Sequence, residues 1–207
     1  MSRRHLYTRY ERIWHWSQAV GILLLLATGM QMHYPGSLGP MGLQTAAAVH
    51  NLLGFVLIAN AFLSLFYHLT TGEIRQYVSR SPDVITLALR QARYYAVGIF
   101  RGEPHPFDRS RQERLNPIQK GTYVLILNVL LPLQVVTGVL IWSAQRWPEA
   151  AGAFVGLRTV LAVHTLGAWL FAAFLVVHVY MTTTGHTPLA HIRSMITGYE
   201  DEQEARS

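Results

Sequence analysis

Residues 158–182, RTVLAVHTLGAWLFAAFLVVHVYMT, form an apolar run of 25 residues that contains two histidines, His164 and His178. A helix of that length spans more than the roughly 30 Å of a bilayer's hydrocarbon core. The two histidines lie fourteen positions apart. On an α-helix this separates them by about 21 Å along the axis and only about 40° around it. One helix face thus presents two imidazoles at two depths. A titratable ring in hydrocarbon is costly and marks a functional site by default, and two on one face suggest two metal centres lined up across the membrane. Haem iron suits such a pattern, because a b-type haem needs only an imidazole on each side.

The rest of the 207-residue chain fits a membrane setting, with 51% hydrophobic and 14% charged residues. Such a chain is too apolar for an ordinary soluble globule. Cysteine is absent, which excludes disulfides, a cysteine-ligated iron–sulfur cluster and covalent c-type haem attachment. The net charge of +6 does not point to nucleic acid, because the arginines sit in segments flanking apolar runs.

Working outward, the spacing predicts further spans over 13–32, 45–70 and 121–142, with 158–182 as the fourth. The expected fold is an all-α integral membrane protein, a four-transmembrane-helix bundle forming one domain over 1–207. Trp14, His15 and Trp16 open the first run and no small-residue cleavage site closes it, so it reads as an uncleaved helix. Of seventeen Lys and Arg residues, fifteen lie before the first span, between Arg75 and Lys120, or after the fourth, leaving Arg146 and Arg158 on the other side. The positive-inside rule then predicts both termini and the 71–120 loop in the cytoplasm. Tyr7, Tyr10, Trp14 and Trp16 at one end, and Trp142 and Trp147 at the other, read as aromatic belts. Within the loop, Ser81-Pro82-Asp83 resembles a helix start, and Val84, Leu87, Ala88 and Tyr95 recur on one face, predicting an interfacial amphipathic helix. The Pro-rich, charged segment 101–117 reads either as a surface touching a partner or headgroups, or as a solvated linker.

Depth sorts the ten histidines. His164 and His50 lie a similar distance inside the outer ends of their spans and are expected to share an outer haem. His178, near the inner end of the fourth span, has two candidate partners, His15 and His68. His68 is eighteen residues from His50, about 27 Å, against about 21 Å for the 164/178 pair, which leaves it roughly 6 Å too deep. The inner pair is therefore expected to be His15–His178, with His68 in reserve. His5, His33, His105, His186 and His191 read as surface residues. Arg158, six residues before His164, is placed either for an outer-haem propionate or as an interfacial anchor, and Arg9 and Arg12 carry the same ambiguity at the inner haem. Gly21, Gly54 and Gly167 recur near the candidate ligands, either to admit a haem plane or for close helix packing. Pro132 is expected to kink the third span, which has no histidine and should pack without ligating.

With these residues in place, the chain resembles the membrane-anchoring b-type cytochromes of respiratory enzymes, such as the formate dehydrogenase gamma subunit and the thiosulfate reductase cytochrome b subunit. The matching residues are Glu11-Arg12-x-x-His15-Trp16, His50 with Gly54, Asn116-Pro117-x-Gln119-Lys120, Thr137-Gly138, and the His164 to His178 spacing. The resemblance implies two haems b in a four-helix bundle of the bacterial cytoplasmic membrane. It implies partners, too: an iron–sulfur subunit and a catalytic subunit, molybdenum enzymes among them, with electrons exchanged with quinone. The quinone would bind near His178 and Asn116, although Asn116 could equally cap the third helix. Nothing in the sequence offers a catalytic residue for stand-alone substrate chemistry. A stand-alone bacterial cytochrome b561 has a similar histidine order and is the nearest alternative, against which the long inner loop and its Asn-Pro-Ile-Gln-Lys run favour a subunit. A non-redox anchor or transporter is the alternative from another class.

Overall fold

The computed structural model describes residues 3–74, 84–104, 117–148, 156–184 and 187–201. Among them, four helices are long and apolar enough to cross a membrane: Arg9–His33, Leu43–Thr71, Gly121–Arg146 and Leu157–Thr182. Their outward side chains are apolar as well as their inward ones. Phe62, Phe66 and Val176 are about two-thirds exposed in the isolated chain. Such surface is a liability in water and ordinary in lipid, where the helix already satisfies its own backbone groups.

Helix α1 (Arg9–His33) begins four residues before the apolar run because its first turn has its own start signal. The Thr8 backbone N–H donates to the Glu11 carboxylate at 2.7 Å, and the Glu11 N–H donates to the Thr8 hydroxyl at 3.2 Å. That reciprocal pair is a capping box. At the other end of α1, buried Gln31 orders the turn into α2 (Leu43–Thr71). Its amide donates to the Met41 carbonyl at 2.6 Å and accepts from the Leu38 N–H at 2.8 Å.

Helix α3 (Val84–Arg93) lies where the sequence predicts an amphipathic helix, and a π turn (Tyr94–Gly98) continues it. Leu87, Ala88 and Tyr95 are half-buried, while Gln91 between them is fully buried, a polar residue in the middle of the packed face. Ser81-Pro82-Asp83, and the 101–117 segment from 105 to 116, lie outside the described residues.

The third span is interrupted. Helix α4 (Pro117–Leu125) gives way to a π turn (Ile126–Leu130) before α5 (Leu131–Arg146) resumes regular winding. Pro132 accounts for it: the residue has no N–H to offer the Asn128 carbonyl, and its ring crowds that oxygen, so the turn ahead of it widens. Helix α6 (Leu157–Thr182) is the fourth span and α7 (Ala190–Thr197) a short helix beyond it.

The chain divides into two compact units. One comprises Met1–Arg12, Tyr67–Leu127 and Leu175–Ser207, the other Ile13–Phe66 and Asn128–Phe174. In the first unit, β1 (Arg3–His5) pairs antiparallel with β2 (Tyr199–Asp201), so both ends of the described chain join in one ribbon. The Gly198 carbonyl accepts from the N–H of Leu6 at 2.9 Å and of Tyr7 at 3.3 Å, and Arg12 donates to the Ile196 carbonyl. Gly198 has φ +89°, and a Cβ there would lie 2.8 Å from the Tyr7 carbonyl oxygen. Gly198→Ala is therefore expected to destabilise this clasp by about 1–3 kcal/mol. Limited proteolysis should show faster cleavage at both termini, with the membrane helices still protected.

In the second unit, Gly21 of α1 lies against Leu57 of α2, and Phe55 of α2 packs edge-to-face on Trp142 of α5 with centroids 5.2 Å apart. Trp142 packs in the same way on Trp147 at 5.5 Å.

Candidate functional site

Two helical hairpins of the second unit each deliver one imidazole. His50 lies seven residues after the first residue of α2 and His164 seven after the first residue of α6. The equal offsets put the two rings at matching positions on their helices, and their centroids are 6.3 Å apart with planes inclined by 70°.

Each ring is seated on the preceding helix by a Thr-Gly pair. The Thr28 hydroxyl of α1 is 2.9 Å from His50 Nδ1, and the Thr137 hydroxyl of α5 is 2.8 Å from His164 Nδ1. Each hydroxyl also reaches the carbonyl four residues back, Leu24 at 2.7 Å and Leu133 at 2.6 Å. A hydroxyl has one proton, and here it goes to the carbonyl. With the ring protonated at Nδ1, the same oxygen would accept from it, and Nε2 would keep its lone pair for a metal. The neighbouring glycines let the rings lie close. A Cβ on Gly29 would be 3.5 Å from His50 Cε1, and one on Gly138 would be 3.3 Å from His164 Cε1. The His164 backbone is held too, because the Gln134 amide donates to its carbonyl at 2.8 Å.

The pair fits a metal held between two imidazoles. Two metal–nitrogen bonds of about 2.0–2.1 Å on opposite sides of one ion place the ring centroids roughly 6–6.5 Å apart. Among the described residues no group of three or more His, Asp or Glu gathers as a bare ion would require. Two imidazoles suffice for haem, whose macrocycle supplies the other four nitrogens.

The remaining candidates fall elsewhere. His15, in the second unit, is half-buried and edge-to-face with Trp16 at 5.2 Å. His178 is half-buried and His68 buried, both in the first unit. Tyr67, beside His68, stacks on Tyr10 with centroids 3.9 Å apart. Arg158 is exposed near the start of α6, Arg9 is exposed, and Arg12 binds the Ile196 carbonyl. Asn116 lies outside the described residues. The glycine reading changes in part. Gly21 and Gly167 serve helix packing, against Leu57 and Gln134, and a Cβ on Gly54 would meet nothing within 4 Å. The glycines at which an added Cβ would meet the imidazoles are Gly29 and Gly138.

The residues that sequence reasoning missed are Thr28 and Gly29, and the function of Thr137-Gly138. The available signal was a Thr-Gly pair repeated late in the first and third spans, each on the helix preceding a histidine-bearing one.

Comparison with known proteins extends this picture. Cytochrome YdhU of Escherichia coli K12 is 35% identical over 197 residues, covering 94% of this chain and 74% of its own length. A protein named as the methionine-sulfoxide reductase subunit YedZ1 of Azospira oryzae is 21% identical, over 91% of this chain and 96% of its own. One named as the Ni/Fe-hydrogenase B-type cytochrome subunit of Cupriavidus necator is 26% identical, over 85% and 77%. The sequence model of the prokaryotic cytochrome b561 family matches residues 6–198. With four membrane helices carrying a paired imidazole site and a family match over nearly its whole length, the chain belongs to the prokaryotic cytochrome b561 family and is a multi-pass bacterial membrane cytochrome of the b type.

Proposed function

We propose that the chain is a dihaem electron-transfer subunit of a respiratory oxidoreductase in the bacterial cytoplasmic membrane, passing electrons between an iron–sulfur partner and the quinone pool. The observation that carries the reading is the His50–His164 pair, with both Nδ1 edges turned to threonines and a centroid separation suited to one iron between the rings. The fourteen-residue step from His164 to His178 supports a second haem, held by His178 and His15, with His68 in reserve. Haem b held by two imidazoles would supply a one-electron carrier suited to electron transfer rather than oxygen binding.

The chain's own residues bind, orient and insulate. α2 and α6 supply imidazoles, α1 and α5 orient them, and the surrounding apolar helices keep water from the site. The positive-inside rule puts the termini and the 71–120 loop in the cytoplasm, where Asn116 and His178 would flank the quinone. Arg158, at the opposite end of α6, is placed to face an outer-haem propionate. The names of the Azospira and Cupriavidus relatives, each a subunit of a larger enzyme, support a subunit here, and the resemblance supports a catalytic subunit beyond the iron–sulfur chain, of molybdenum type among others.

The experiment is purification of the native protein in mild detergent, with mass spectrometry of co-purifying chains and a pyridine haemochrome assay. A stoichiometric iron–sulfur chain and two protohaems per copy are the expected result. A haem-loaded chain that repeatedly emerges alone would instead make it a stand-alone cytochrome b561 exchanging electrons with quinone, and colourless protein would mark a non-redox anchor.

A further inference from the structure

The two imidazoles are alike in more than position. Each has Nδ1 within 2.9 Å of a buried threonine hydroxyl that donates to a carbonyl four residues back, and a glycine follows that threonine where an added Cβ would come within 3.5 Å of the ring. Thr28 and Thr137 are both nearly inaccessible, at 3% and 6% exposure. A ring held at Nδ1 by a buried hydroxyl that is itself tied to the helix backbone has little freedom to turn about its long axis. The 70° between the planes is then set by the two seats, not by the imidazoles themselves.

We propose that Thr28 and Thr137 are matched positioning residues for one haem. Each fixes the Nδ1–H tautomer of its imidazole, presents Nε2 to the iron, strengthens the ring as a donor and locks its plane nearly perpendicular to its partner's. This rests on His50 and His164 being axial ligands. A hydrogen-bond acceptor behind a metal-bound imidazole makes the ring more electron-rich, which favours the oxidised metal. Two such acceptors serve the same iron, so this haem is held at a lower potential than it would have with unsupported rings. Near-perpendicular imidazole planes leave the two ferric dπ orbitals that accept from the rings close in energy. The ferric signal is then strongly anisotropic, with a large highest g value.

The test uses purified haem-loaded protein with the variants Thr28→Val, Thr137→Val, Thr28→Ser and Thr137→Ser. Low-temperature EPR and an equilibrium redox titration are read for both haems, the second haem serving as internal control. The wild type is expected to show a strongly anisotropic low-spin signal. Each valine variant should move that signal and make one haem easier to reduce by about tenfold in its reduction equilibrium, or 59 mV for a one-electron couple. Each serine variant should restore the wild-type values, because it keeps the acceptor. Unchanged signal and potential in the valine variants, an equal shift of both haems, or serine variants that behave like valine would each overturn the proposal. If a valine variant loses its haem, the serine variant decides: retention with the wild-type signal supports the seat, and loss refutes it. His50→Ala and His164→Ala, run alongside, separate the two levels. If both keep two haems the ligand reading fails. If each loses one haem while the valine variants are spectroscopically silent, the ligands stand and only the positioning role falls.

Discussion

On the proposed dihaem reading, replacing His164 with alanine is expected to lower the haem content of the purified protein from two per chain to one, with the helices still folded. The loss follows from geometry: without the ring, only His50 would remain of the two imidazoles that would hold a haem there. The fold should survive for equally specific reasons. The Thr137 hydroxyl keeps its bond to the Leu133 carbonyl, so no buried donor is stranded. The Gln134 amide binds the backbone carbonyl of residue 164, which an alanine retains. His50→Ala should remove the same haem, and the double variant should be no worse than either single one, since both changes act on one site. The assay is pyridine haemochrome per chain, with circular dichroism to show that helix content is kept. Retention of both haems in His164→Ala would end the ligand assignment.

His178→Ala should remove the other haem and abolish reduction of the protein by added quinol, leaving the His50–His164 haem in place. His15→Ala should have the same effect and His68→Ala should leave both haems bound. The reason is the axial arithmetic of the helices: the 50-to-68 step is about 6 Å longer than the 164-to-178 step, which puts His68 too deep to share an iron with His178. Burial does not decide between them, since His68 is buried and His15 half-buried, and a buried imidazole can as well be a structural partner in a helix bundle. If His68→Ala strips the haem and His15→Ala does not, the inner pair is His68–His178 and α1 supplies no ligand.

Much of the architecture could be read from the chain itself. Four apolar runs with charged or Gly/Pro-rich separators become four long helices, because lipid leaves a spanning segment no other way to satisfy its backbone. The runs undershot the helices by a few residues at some ends. Hydropathy stops where the interface begins, while α1 starts at the Thr8–Glu11 capping box outside it. The matching depths of His50 and His164 were legible as well, since helix rise converts sequence offset directly into distance.

Other features were not legible, for reasons that differ. Glu11 and Arg12 read as parts of a motif opening the first span. Their structural work is to close a capping box and to bind the Ile196 carbonyl, a partner 184 residues away that no local pattern shows. Gln91 sits fully buried in the packed face of α3, where periodicity alone would put an apolar residue. The π turn ahead of Pro132 was not legible either, because hydropathy does not show which turn widens where the proline leaves the Asn128 carbonyl without an N–H.

Sequence by itself determined the membrane class, the number and approximate extent of the spans, and the matching offsets of His50 and His164, because each depends only on hydropathy and helix rise along one element. The tertiary structure alone decided which side chains on neighbouring helices meet those histidines. Gly21, Gly54 and Gly167 stand beside candidate ligands in the sequence, but Gly29 and Gly138 are the glycines where an added Cβ would meet an imidazole. Thr28 and Thr137 bind Nδ1 from 22 and 27 residues away. Those contacts depend on how one helix is rotated against the next, which is set by the packing of whole helix faces in three dimensions.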